Sequence, residues 1–150
     1  VEVDPDTGVV DIKAYNVVDD VGVVVNPMIV EGQVQGGVAQ GIGQALIENT
    51  VFEAGTGQLL TGSFMDYGMP RADDMSDIGF SYNEVPCTTN PLGIKGCGEA
   101  GTIGAVPSTM NAVQDAVRSA GHALNGNGHV DMPVTPYKLW ALLNSNPKAA

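Results

Sequence analysis

From Val30 to Leu46 the chain repeats apolar residues at helical spacing, at Val34, Val38, Ile42, Ala45 and Leu46, yet gives five positions in the same stretch to glycine: Gly32, Gly36, Gly37, Gly41 and Gly43. The spacing puts the apolar set on one face of a helix, predicted over residues 28–49. Each glycine costs a helix ~1 kcal/mol relative to alanine, so the segment gives up on the order of 5 kcal/mol of propensity. That loss must be offset by contacts that only a bare backbone allows. On a helical wheel Gln33, Gly36, Gly37, Gln40, Gly43 and Gln44 gather within about 60° of Gln40, opposite the Val34/Val38/Ile42 stripe. Such a flat, amide-bearing face admits two readings: close approach of a second helix, or contact with a planar polar ligand that uses the amide donors and acceptors. Glu31 and the glutamines exclude the membrane form of small-residue helix pairing.

Around this helix the pattern is one of short strands. Residues 1–3 and 10–14 read as a hairpin about Asp4-Pro5-Asp6-Thr7-Gly8, and residues 21–25 as a strand stopped by Asn26-Pro27. A second hairpin joins residues 50–53 to 58–60 through Ala54-Gly55-Thr56-Gly57. Residues 61–77 read as an ordered loop, and Ile78, Phe80 and Tyr82 alternate as in a strand. A Gly- and Pro-rich stretch over 86–104 is long enough for a compact domain to keep it only for function. Ala112, Val113, Ala116, Val117 and Ala120 then mark a helix that starts near Ser108 and is closed by Gly121. A last helix begins at Thr135-Pro136 and carries Leu139, Trp140 and Leu143. The expected architecture is α+β over residues 1–150, with hairpins and a mixed sheet packed by amphipathic helices.

Charge and composition narrow the function. Against 6 basic residues stand 17 acidic ones, and the net charge of -11 repels phosphate backbones and anionic lipid, which excludes nucleic acid and membrane surfaces. Only 15% of residues are charged, so part of the surface is expected to be covered by other polypeptide. Apolar runs such as Val23-Val24-Val25 fall far short of the ~20 residues of a membrane span. The chain opens without Met, a basic n-region or an apolar h-region, so it is read as a cytoplasmic piece of a longer protein without a secretory signal. Cys87 and Cys97 are too few to ligate an iron–sulfur cluster. His122 and His129 lack metal-ligand company and read as surface residues. Met65, Met69 and Met75 read as core filling, and Asp66 and Tyr67 as structural.

The loop Ile94-Lys95-Gly96-Cys97-Gly98-Glu99-Ala100-Gly101-Thr102 contains a literal GxGxxG. A dinucleotide-binding reading needs a strand before it and a helix opening on it, and neither is expected here. A carboxylate between glycines has another use. Gly98 and Gly101 are expected to adopt backbone angles closed to other residues and to push the Glu99 side chain into a site, where it would serve as a general base. The alternative is an exposed loop glutamate.

Five stretches carry a family likeness: Val18-Asp19-Asp20-Val21-Gly22, Glu31-Gly32-Gln33-Val34-Gln35-Gly36-Gly37-Val38-Ala39-Gln40-Gly41-Ile42-Gly43, Phe64-Met65-Asp66-Tyr67-Gly68-Met69-Pro70-Arg71-Ala72, Asn90-Pro91-Leu92-Gly93-Ile94-Lys95-Gly96-Cys97-Gly98-Glu99-Ala100-Gly101 and Pro133-Val134-Thr135-Pro136. In this order they resemble the C-terminal part of the molybdopterin-binding region of the xanthine dehydrogenase and aldehyde oxidase family, nearest the carbon monoxide dehydrogenase-like large subunits. The resemblance implies that Glu99 is the catalytic base beside molybdenum, that Gln40 reaches the cofactor, and that Lys95 and Gly96 lie where the loop passes it. Cys97 departs from the small aliphatic residue usual at its position.

The resemblance further implies a molybdenum–molybdopterin cofactor in its cytosine dinucleotide form, and oxidation of an aldehyde, an N-heterocycle or carbon monoxide with water-derived oxygen. Iron–sulfur clusters and FAD would sit on partner chains, an iron–sulfur subunit and an FAD subunit. The remaining molybdenum-binding segments or subunit would complete the site for a small-molecule substrate. An isolated 150-residue piece is expected to be inactive. The alternative is a non-catalytic interaction or scaffold module that keeps the fold without bound cofactor.

Overall fold

Asn26 and Pro27 start the glycine-rich helix: the Asn26 Oδ1 accepts the Ile29 N–H at 3.2 Å, and proline takes the first helical position. In the computed structural model, which describes residues 1–122, 124 and 128–145, helix α1 spans Pro27–Ile42 and relaxes into a π-turn over Gly43–Ile47. The Glu48 N–H closes that turn on the Gly43 carbonyl at 2.7 Å. Val34, Val38 and Ile42 are fully buried, as the stripe predicts, and share one core with Val113, Val117, Val134 and Leu139.

Strands β1 (Glu2–Val3) and β2 (Val10–Asp11) form the expected antiparallel hairpin, though a shorter one. The next strand falls elsewhere than expected. β3 is Tyr15–Asp19, and it pairs in parallel with β4, Ile78–Tyr82, in register from Tyr15↔Ile78 to Asp19↔Tyr82. The chain between them crosses through α1, which is what a parallel pair requires. Residues 21–25 are not a strand: only Gly22 bridges, to Ile94, because the backbone groups here serve a loop and the side chain of Glu84 instead. Three valines supply β-propensity, but Val25 is left exposed with no sheet to cover it. The 51–60 hairpin is present, with a Phe52↔Leu59 bridge, and a 3₁₀ turn over Ala72–Asp74 lies within the irregular 61–77 segment.

The largest departure from expectation is helix α2. It spans Ala100–Ser119, beginning about eight residues earlier than the periodicity suggests and absorbing Gly101, Gly104 and Pro107. Local propensity disfavours these residues, and tertiary contact overrides it, since Gly101 and Ala105 pack on α1. Helix α3, Pro136–Ser145, opens on its proline as expected and buries Leu139, Leu142 and Leu143. Gly8, at φ +73°, turns the first hairpin so close to α3 that a Cβ there would stand 2.0 Å from the Pro136 carbonyl oxygen. Ala123 and residues 125–127, within the loop between His122 and His129, lie outside the described residues. Among the described residues no helix is long and apolar enough to cross a membrane.

Candidate functional site

The two faces that the sequence singles out meet. A Cβ on Gly37 would lie 2.8 Å from the Thr102 backbone nitrogen, one on Gly41 2.5 Å from Ala105 Cβ, and one on Gly101 2.3 Å from the Val34 carbonyl oxygen. Small residues on both helices thus let α1 and α2 touch backbone to backbone. The flat face of α1 divides accordingly. Gly37 and Gly41 serve helix contact, whereas Gly32 and Gly36 have nothing within 4 Å of a Cβ, and Gln33, Gln40 and Gln44 are exposed beside them. The helix-contact reading therefore holds for Gly37 and Gly41, while Gly32 and Gly36 leave part of the face open.

Thr102 stitches the junction. Its Oγ1 donates to the Gly37 carbonyl at 3.1 Å and lies 3.4 Å from Gln40 Oε1. A hydroxyl carries one proton, and the nearer carbonyl takes it, so the Gln40 amide is held loosely. Glu99 sits one turn before Thr102, at the N-cap of α2, with φ -113° and ψ 0°. Its carbonyl accepts from the Thr102 and Ile103 amides, while its side chain is exposed and forms no hydrogen bond or ion pair among the described residues. Thr102 thus stands between Gln40, which it meets across the two helices, and Glu99, one turn before it in the chain.

Two expectations about this loop need correction. GxGxxG does open a helix, since α2 starts at Ala100, while the preceding strand is absent beyond the single bridge at Ile94. Nor do Gly98 and Gly101 take left-handed backbone angles; the glycines that do so here are Gly22 (φ +66°) and Gly93 (φ +68°). What Gly101 provides is room for α1. Gly96 and Gly98 have nothing within 4 Å of a Cβ and keep the loop surface bare.

Sequence reasoning assigned no role to Asp20, which anchors the loop. Its carboxylate accepts from the Lys95 ammonium at 2.5 Å, from the Gly22 amide at 2.9 Å and from the Val85 amide at 3.1 Å. The Lys95 ammonium first, then the Gly22 amide, holds the Asp20 carboxyl below its ordinary value. Beside it the Lys95 amide donates to the Val21 carbonyl and the Val23 amide to the Gly93 carbonyl, both at 3.0 Å. A Cβ on Gly22 would stand 2.3 Å from the Gly93 oxygen, so only glycine lets the two segments approach this closely. The available signal was the Asp-x-Gly spacing, which favours a side-chain turn onto the amide two residues on. Lys95, expected at the cofactor, has its ammonium engaged by Asp20.

The remaining candidates are secondary. Met65 is 93% exposed and Met69 half so, so neither fills a core among the described residues; Met75 does pack against it. Asp66 accepts from Ser63, and the Tyr67 hydroxyl donates to Glu48, which raises the Tyr67 pKa. The Cys87 thiol is lowered by the Thr89 hydroxyl at 3.1 Å. His129 faces Asp131 at 3.0 Å. Among the described residues no cluster of His, Cys, Asp and Glu suits a metal ion.

Comparison with known proteins identifies the family. The molybdopterin cofactor-binding domain family matches residues 1–76. The large subunit of nicotine 6-hydroxylase from Paenarthrobacter nicotinovorans is 41% identical over 93% of the chain, which covers 16% of that protein. The Cu,Mo-CO dehydrogenase superposes with a TM-score of 0.87 at 34% identity, over 95% of this chain and 17% of the other. Quinoline 2-oxidoreductase from Pseudomonas putida 86 gives a TM-score of 0.87 at 36% identity, over 97% of this chain and 18% of the other. The chain spans about a sixth of the length of these relatives. On the strength of the family match, and of an α+β fold shared with CO dehydrogenase, the chain belongs to the molybdopterin cofactor-binding family of the xanthine dehydrogenase and aldehyde oxidase type.

Proposed function

We propose that residues 1–150 are the C-terminal portion of the molybdenum cofactor-binding domain of a molybdenum hydroxylase, in which Glu99 is the general base. The observation that carries this reading is the junction of α1 and α2, where the Gln40 amide lies 3.4 Å from Thr102, one turn from a Glu99 carboxylate that has no partner among the described residues. The residues fit a molybdopterin. Gly32, Gly36, Gly96 and Gly98 leave open the space a Cβ would fill, and Gln33, Gln40 and Gln44 offer exposed amides to the polar edge of a planar ring.

When bound, the cofactor supplies the two-electron acceptor for the oxidation. The protein's part is proton transfer and position. Glu99 accepts a proton at a carboxylate oxygen from the water-derived nucleophile, while Gln40 and the bare backbone of Gly96 hold the cofactor edge and Lys95 anchors the loop between them. Val25, Met28, Ile29, Leu92 and Ile103 are exposed on the segments flanking this loop and on the first turns of α1 and α2. Apolar walls of this kind exclude water once other polypeptide covers them.

That other polypeptide is the rest of the molybdenum-binding chain, so the isolated piece is inactive. An iron–sulfur subunit and an FAD subunit would carry electrons away, in the cytoplasm, from a cofactor in the cytosine dinucleotide form. An aldehyde, an N-heterocycle or carbon monoxide is the substrate class. The test is Glu99→Gln in the intact complex, with molybdenum and turnover measured on the same sample. Loss of turnover at about one molybdenum per copy is expected. Retained turnover refutes the assignment, and a complex that folds without metal or pterin would instead support a non-catalytic scaffold.

A further inference from the structure

The loop that carries Glu99 is held at its start by its own turn, in which the Asn90 side chain bonds the Ile94 amide and carbonyl, and by a second segment of the chain. Between Gly93 and Glu99 the backbone pairs outward, with residues 21–23: the Lys95 amide to Val21, the Gly93 carbonyl to Val23, and Ile94 bridged to Gly22. Residues 96–98 make no such pairing, and their glycines face open space. The last fixed point before Glu99 is therefore Lys95, whose backbone and side chain both end on the 20–21 segment, the side chain on Asp20.

Asp20 is well built for this. Its carboxylate collects three donors from three separate places: its own turn (Gly22), the segment after β4 (Val85) and the glycine loop (Lys95). The two side chains are 34% and 35% exposed, so water and salt weaken the bare ion pair. Its value lies in geometry, because one carboxylate fixes three segments relative to each other.

We infer that Asp20 is the positioning residue for the base, setting the place of Glu99 through Lys95 and the 93–95 backbone. This rests on the reading of Glu99 as the base. A carboxylate that takes a proton must lie within hydrogen-bond reach of it, and displacement by ~1 Å costs on the order of 100-fold in rate. Asp20→Ala removes all three acceptor contacts. Asp20→Asn keeps one acceptor oxygen for the backbone amides and loses the attraction for Lys95.

The experiment uses the complete complex, with rates expressed per molybdenum so that lost cofactor does not count as lost chemistry. Asp20→Ala is expected to lower kcat by about 10- to 100-fold with KM changed less than about threefold, and Asp20→Asn to fall between it and the parent. Hydrogen exchange across residues 93–99 is expected to rise in both. If Glu99→Gln is inactive while Asp20→Ala keeps the parental rate and exchange pattern, the positioning role is overturned and the base assignment stands. If Glu99→Gln retains turnover, both fall. Should Asp20→Ala not assemble, Asp20→Asn carries the same readouts.

Discussion

Adding one methyl group to Gly101 or to Gly36 should move stability in opposite directions, although both are helical glycines. At Gly101 the new Cβ would stand 2.3 Å from the Val34 carbonyl oxygen and 3.1 Å from two further backbone atoms of the same residue. Backbone cannot swing aside as a side chain does, so α1 and α2 must part by about 1 Å. Val34, Val38 and Ala105, all fully buried, lie along that contact. Overpacking of this kind costs ~1–3 kcal/mol, against at most ~1 kcal/mol of helix propensity gained. At Gly36 nothing lies within 4 Å, and the propensity gain stands alone. For a chain of this length 1 kcal/mol shifts Tm by roughly 2–4 °C. Thermal unfolding followed by circular dichroism should therefore show Gly101→Ala below the parent by up to several degrees and Gly36→Ala above it. A Gly101→Ala variant as stable as the parent would mean that the two helices are not in backbone contact, and the junction on which the site depends would be wrong.

Other outcomes follow from single groups. Thr109 is 2% exposed and its hydroxyl has no partner among the described residues; Thr109→Val should raise stability by ~1 kcal/mol, and an unchanged or lower Tm would show that the hydroxyl is satisfied. Because Asp20 is held below its ordinary value of 3.8, its contribution is fully present above that value and fades as pH falls through the lower folded-state value. The stability gap between parent and Asp20→Asn should accordingly close in acid. A gap independent of pH would remove charge from the explanation.

The apolar stripe of α1, both hairpins, β4 and the start of α3 were legible because each rests on local pattern or turn chemistry. What escaped rests on distant partners. β3 is stabilised by β4, sixty residues on, and nothing near Tyr15 announces it. The first two turns of α2 contain Gly101, Gly104 and Pro107, which read as loop until α1 is placed against them. Gly36 and Gly37 fall on opposite flanks of the glycine face, about 100° apart on a wheel, but only the position of α2 shows which flank is covered and which is open. Glu99 drew notice as a candidate through its glycines, though Gly101 supplies space for α1 rather than an unusual backbone angle. Asp20 was overlooked because its role lies in joining three remote segments.

The arm formed by residues 51–60 projects from the body: Gly55 and Gly57 have open surroundings, and Phe52 and Leu60 are exposed at its base. Before it in the chain come β3 and α1; after it come β4 and α2, and these bind one another crosswise. Severing the peptide at the tip would release neither portion. The two fragments would remain associated and elute together from a sizing column, so the continuity of the chain at this point is dispensable for holding α2 against α1.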